Sequence, residues 1–359
     1  MANFDLSGLA LKMVCPTNEL ITDDKGLPSV YVRRASKTLK ELLNTTNDTV
    51  HPAFMISNDQ KPSLCFGKFQ GVAHNNRIYS LPGEDPKASI DLDTYVSYCK
   101  NKGPGHHCIT AAEWAFLALL AKKNGTQPYG NNNYGKDSRE TGYIAIPTYK
   151  DGSGATCRVA TGTGPLTWSD DKTIAGIWDL NGNVWEWVAG LRFVYGELQV
   201  IPYNNAADPN VPIGASSTEW KAINANATSY ADLYIEPDGS GTTENSVKID
   251  YVSGHWAWAT TITSKKDDYR SALFASTTID AGISEFAALY LRAMALAPES
   301  GDTDYEGDYI YGNNGAAERC AYRGGRWYGG AGVGVFALNF YAPRSYVHTS
   351  IGGRPAFYE

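Results

Sequence analysis

The side chains that could do chemistry fall into four groups along the chain. Cys99 and Cys108 bracket His106 and His107, residue types that bind zinc or copper. Adjacent histidines project apart, however, and no CxxC spacing supports them, so buried thiols beside a polar loop are the simpler reading. The acidic run 301–308 (GDTDYEGD) resembles an oxygen-ligand calcium loop in composition. It lacks the glycine and glutamate positions of an EF-hand, and a solvated loop is the alternative. Glu113, Asp179 and Glu186 are acids available for proton transfer. Glu113 is accounted for by a helix cap, Glu186 lies between tryptophans, and no Ser-His-Asp or Cys-His arrangement is apparent in sequence. The fourth group is the tyrosine-rich C-terminus, RCAYRGGRWYGGAGVGVFALNFYAPRSYVHTSIGGRPAFYE (319–359). Tyrosine offers large contact area with few rotatable bonds, so this group points to a non-covalent recognition surface, with an ordinary aromatic-rich terminal strand and loops as the alternative.

Composition narrows the choice. The chain has 359 residues, 43% apolar and 19% charged, with 36 Gly, 23 Tyr and 9 Trp. Such a chain folds, and is rich in loops and flat amphipathic side chains. Its net charge of −7 and lack of a long basic run exclude nucleic acid as a partner on electrostatic grounds. No stretch is long and apolar enough for a transmembrane helix, so no membrane insertion is expected. Met1–Met13 has no basic n-region, so no signal peptide is read there; synthesis in the cytoplasm and assembly into a particle is the expected route outward. Six scattered cysteines are too few for a disulfide scaffold.

Several elements must position these groups. Residues 1–50 read as a small N-terminal element with a short helix at Ser36–Leu43. Its role is attachment or oligomerisation, or simple packing on the main body. LCFGKFQ (64–70) reads as a strand, and Leu92, Tyr95, Val96 and Cys99 recur at helical spacing. Thr110 and Glu113 form a capping box for a helix whose apolar face carries Trp114, Leu117, Ala118 and Ala121, stopped by Asn124-Gly125. Residues 126–170 read as long surface loops. In GIWDLNGNVWEWVAG (176–190), Asn181-Gly182 marks a tight turn between two short strands. Trp178, Trp185 and Trp187 flank it as core packing. Ile283–Ala297 reads as a helix. In VGVFALNFY (333–341), Phe336, Leu338 and Phe340 alternate with Val335, Ala337, Asn339 and Tyr341, the pattern of a half-buried strand with the second set facing outwards.

ITAAEWAF, GIWDLNGNVWEWVAG, RGGRW and a terminal IGGRPAF resemble, in that order, the motifs of the formylglycine-generating-enzyme-like branch of the C-type lectin fold. The last forty or so residues look like the variable region of proteins diversified by diversity-generating retroelements, in which adenine-directed copying errors vary chosen codons. The resemblance implies an α+β, C-type-lectin-like ligand-binding domain over 51–359, with an insertion at about 196–317 and a variable region at about 323–358. It implies variable, ligand-contacting positions at Arg326, Tyr328, Gly329, Gly332, Val333, Asn339, Phe340, Tyr341, Tyr346, Val347, His348 and Ser350. Phe340 is in tension with the alternation above, which places it inside. The implied scaffold is Trp178, Trp185, Trp187, Arg323, Gly324, Gly325, Trp327, Phe336, Leu338, Arg344, Ile351, Gly352 and Arg354.

The familiar enzyme of this fold uses paired cysteines between the last two motifs. No cysteine follows Cys320, so the resemblance implies binding without that oxidative chemistry. The implied function is a hypervariable receptor-binding protein of a phage tail, meeting a host cell-surface protein or glycan. Other phage tail proteins are candidate partners, as a trimer or a monomer, and no cofactor is required, with calcium the open case. A non-diversified virion or bacterial cell-surface lectin-like protein is the alternative.

Overall fold

A computed structural model describes residues 4–142 and 144–359; the first three residues of the N-terminal stretch read above lie outside the described residues. The chain is α+β, built on two sheets that share the C-terminal strands between them. The smaller sheet is antiparallel and runs in the order 18–22, 28–35, 63–67, 355–357, 106–108. The larger is mixed. Its main path runs 270–273, 309–312, 338–340, 319–323, 185–194, 197–200, 248–252, 255–259, 278–279. Strand 351–353 adds in parallel to 185–187, one residue before 355–357 joins the other sheet. The chain's last turn thus ties the two sheets together.

Five helices occur among the described residues: α1 (Phe4–Val14), α2 (Leu39–Leu42), α3 (Leu92–Lys100), α4 (Ala111–Lys123) and α5 (Glu285–Ala293). α4 begins where its capping box requires. Thr110 Oγ1 accepts from Glu113 N at 3.1 Å, and Glu113 Oε2 accepts from Thr110 N at 2.9 Å. α4 is apolar all round and buried accordingly, from Ala111 to Ala121 apart from the half-buried Leu120. α3 starts on Asp91, whose Oδ1 accepts from Thr94 N. α5 is shorter than the spacing from Ile283 to Ala297 predicts; it ends by Met294, and Ala295 takes a left-handed φ of 47°.

Residues 18–50 pack on the main body, the second of the two readings above: strand 28–35 pairs with 63–67, and Leu39, Leu42 and Leu43 lie in the main core. α1 has an open apolar face, with Leu6, Leu9, Met13 and Val14 exposed. The implied insertion at about 196–317 extends the large sheet with several short strands, and Trp256, Trp258, Tyr290 and Leu291 join the same core. The Asn181-Gly182 turn is followed by a strand but not preceded by one; Asp179, Gly182 and Asn183 all take positive φ in an irregular loop.

His51 sits at the seam between the N-terminal segment and α5. Its Nε2 lies 2.7 Å from Ala293 O, and its Nδ1 accepts from Ala53 N, so the ring is neutral with its proton on Nε2. Burial holds its pKa down at about 4. The unfolded chain therefore binds the extra proton between about pH 6.5 and 4, and stability is lost as pH falls through that window. Wild type is expected to lose about 3 kcal/mol more than His51→Gln between pH 6.5 and 4, measured by urea unfolding.

Candidate ligand-binding surface

The four motif segments, distant in sequence, meet in space. Trp114 of α4 donates its Nε1–H to Val335 O at 2.8 Å. Gly182 N donates to Gly324 O and Trp327 N to Asn183 O, which locks the 181–183 loop to the RGGRW segment. Trp185 N donates to Ser350 O, and Ile351–Gly353 then runs beside Trp185–Trp187. At the junction, Arg354 and Glu186 form a fully buried ion pair, with Nε to Oε2 at 3.0 Å and Nη2 to Oε1 at 2.8 Å. Gln70 donates to the same carboxylate, and Arg354 also reaches Gly67 O and Trp178 O. Burial pushes the Glu186 carboxyl up while Arg354 and Gln70 draw it back. With every oxygen occupied and no exposure, Glu186 is placed as a structural anchor.

Every residue assigned to the scaffold is buried. Trp187 is fully enclosed, donates Nε1–H to Ile90 O and stands edge-on to Tyr322 at 5.0 Å. Arg323 spans the base of the C-terminal segment and donates to the carbonyls of Met294, Ala295 and Phe336. Arg344 pins the following loop by donating to Asp93 at 2.7 Å and to Glu318. The frame glycines are sterically closed. A Cβ on Gly352 would collide with Lys87 O. Gly324 and Gly325 take φ of 87° and 102°, a region that side chains other than glycine's rarely enter.

The positions assigned to ligand contact divide. Tyr341, Tyr346 and Val347 are exposed, and Arg326, Tyr328, Gly329, Gly332 and His348 are partly so. Tyr346 stacks on His348 with rings only 7° from parallel, and Arg326 lies over the Tyr328 ring at 3.8 Å. Burial and the Arg326 charge together keep the His348 imidazole below its usual pKa.

Four positions are corrected. Phe340 is fully buried, stacked on Phe193 at 4.1 Å and against Trp256, as the alternation and not the resemblance requires. Val333 is buried against the backbone of Gly325 and Gly329. Ser350 is buried with its Oγ 2.7 Å from His348 Nδ1. Asn339 is 8% exposed and spends its Oδ1 on Tyr341 N, so it does not face outwards. The half-buried strand is a two-sided one, reduced to Leu338–Phe340. It lies between 309–312 and 319–323, and Asn339 is paired with Tyr311 and Tyr322, residues 196–317 supplying one of these neighbours.

The chemical alternatives resolve into structure. His106 Nδ1 lies 3.2 Å from Tyr31 OH, whereas His107 Nε2 is 2.8 Å from Glu113 Oε1. That His–Glu pair is sealed, with 1% and 0% side-chain exposure, and Asn204 also donates to the carboxylate. All six cysteines are free. Among the described residues no group of three or more His, Cys, Asp and Glu side chains is placed to hold a metal ion. In the acidic run, Asp308 is buried rather than solvated, and its Oδ2 accepts from Phe336 N at 2.7 Å. Burial raises the Asp308 pKa to about 7.

Sequence reasoning missed Tyr269, Tyr309 and Tyr311, which the 196–317 stretch brings beside the C-terminal positions. Tyr269 meets Tyr341 edge-on at 5.5 Å and stacks on Tyr311 at 6.1 Å, and Tyr309 stacks on Tyr311 at 5.8 Å. Only the alternation in DYIYG (308–312) hinted at them. Among the described residues no helix is long and apolar enough to cross a membrane. No protein-family model matches the chain, and no curated protein matches it.

Proposed function

We propose that this chain is a hypervariable ligand-binding protein with a C-type-lectin-like fold of the formylglycine-generating-enzyme-like branch. Its C-terminal surface is diversified by a retroelement and recognises a receptor on a host cell, from the tip of a phage tail. The observation that carries this reading is the partition of the last segment. Side chains implied to be invariant are enclosed and hydrogen-bonded into both sheets, while Tyr341, Tyr346, Val347 and, in part, Arg326, Tyr328 and His348 are open to solvent on the two connections that flank strand 338–340. Such a division lets contact chemistry change without loss of fold. Multiple copies on a particle raise weak single-site binding through avidity. The meeting of the four motif segments around Glu186 and Arg354 supports the fold assignment.

Combined replacement of Tyr341, Tyr346, Val347 and His348 is expected to alter which bacterial cells the protein binds, scored by fluorescent labelling of a strain panel. Single changes at Tyr341, Tyr346 and Val347 should each move stability by no more than about 0.5 kcal/mol. Unchanged cell binding across such variants would refute a recognition role for this surface.

A further inference from the structure

The tyrosines contributed by the 196–317 stretch form a wall positioned to be read together with the variable loops. Tyr311 donates its hydroxyl to Gly332 O at 2.8 Å, which holds the 330–332 turn against that wall. A Cβ built on Gly332 would lie 2.8 Å from the Tyr311 hydroxyl and 3.2 Å from the Tyr309 ring. Both are side-chain atoms rather than backbone, so a residue replacing Gly332 lands directly on the wall, and the Tyr311 hydroxyl must shift to admit it. On the other flank, Tyr269 is 47% exposed and packs edge-on against the similarly open Tyr341. Two implied variable positions are therefore in contact with residues outside the variable segment.

Arg326 places one positive charge on this face. Arg326 is close enough to bias the ionisation of Tyr269, Tyr311 and His348, and it makes no ion pair among the described residues. Its guanidinium instead lies on the Tyr328 ring, an arrangement that leaves its N–H edges free for a carboxylate. Tyrosine rings and hydroxyls around a free arginine match the contact chemistry of protein recognition, in which tyrosine and arginine dominate the energetics.

We propose that Tyr269 and Tyr309 form a fixed wall of the binding surface shared by every variant of this frame, and that in variants carrying Arg326, as this chain does, the surface favours a folded protein partner that presents a carboxylate beside an apolar patch. This rests on the ligand-binding reading above. It adds that the 196–317 stretch sets an invariant share of specificity, while the variable positions adjust the rest.

The test uses the full chain with Tyr328, Gly332, Tyr341, Tyr346 and His348 randomised, displayed and selected against an acidic probe protein, α-lactalbumin, and separately against basic lysozyme. Tyr269→Ala, Tyr309→Ala and Arg326→Gln are then introduced into each selected clone, with thermal unfolding confirming an intact fold. The expected result is that α-lactalbumin yields the tighter clones, and that most lose tenfold or more in affinity on Tyr269→Ala and on Arg326→Gln. Clones that depend on positions 341 and 346 but ignore Tyr269→Ala and Tyr309→Ala would overturn the fixed wall and leave the variable surface standing. Clones tighter on lysozyme than on α-lactalbumin would overturn the acidic partner. A library that yields no binders to either probe would overturn the ligand-binding reading and this inference with it.

Discussion

Arg354→Met is expected to destabilise the protein by about 3–5 kcal/mol, seen as a lower urea midpoint with an unchanged slope. The change strands Glu186 as a buried carboxylate whose remaining side-chain partner is Gln70, and it frees the carbonyls of Gly67 and Trp178. It also acts at the residue between strands 351–353 and 355–357, where the two sheets are joined. The double change Arg354→Met with Glu186→Gln should recover part of the loss, because it removes the uncompensated charge while keeping the side-chain volume. Failure of the second change to recover any stability would mean that the carbonyl contacts, not the charge pair, hold the junction.

Trp187→Ala is expected to cost a similar amount, about 3–5 kcal/mol, through the cavity left by a fully enclosed indole. The loss of its bond to Ile90 O adds to that cost. Tyr346→Ala also removes an aromatic ring, but from the open face, and should move stability by only about 0.5 kcal/mol or less. Tyr346 is 38% exposed, and its ring stacks on His348. The contrast separates frame from display on the same molecule. Thermal and urea unfolding of the two variants side by side measures it. Equal losses would contradict the partition on which the functional proposal stands.

Legibility in the sequence followed the range of the interactions. Thr110 and Glu113 announced the start of α4 because a capping box is closed within four residues. α3 was equally clear from its apolar spacing. Phe340 and Asn339 were harder, since a strand's second face is covered by whatever the rest of the chain brings to it. Here Phe193 and Trp256 enclose Phe340, and Asn339 is paired with Tyr311 and Tyr322. The strands within 196–317 were hard to read because they are short and their partners are remote, as when 309–312, despite its brief alternation, pairs with 338–340. For the same reason the wall formed by Tyr269 and Tyr309 went unread, although the loops it flanks were identified from their tyrosines. Glu186 and Arg354 were each marked by their motifs, but their pairing across the molecule is visible only in the fold.

The most direct test of the central proposal is deep sequencing of the codons for residues 319–359, with the flanking genome, in a growing population that carries the gene. The account predicts substitutions at adenine-templated codons, concentrated at Arg326, Tyr328, Tyr341, Tyr346, Val347 and His348. It also predicts a near-copy of the segment beside a reverse-transcriptase gene, and constant codons for Arg323, Trp327, Gly352 and Arg354. A uniform 3′ end with no nearby repeat would contradict diversification and leave a surface of fixed specificity.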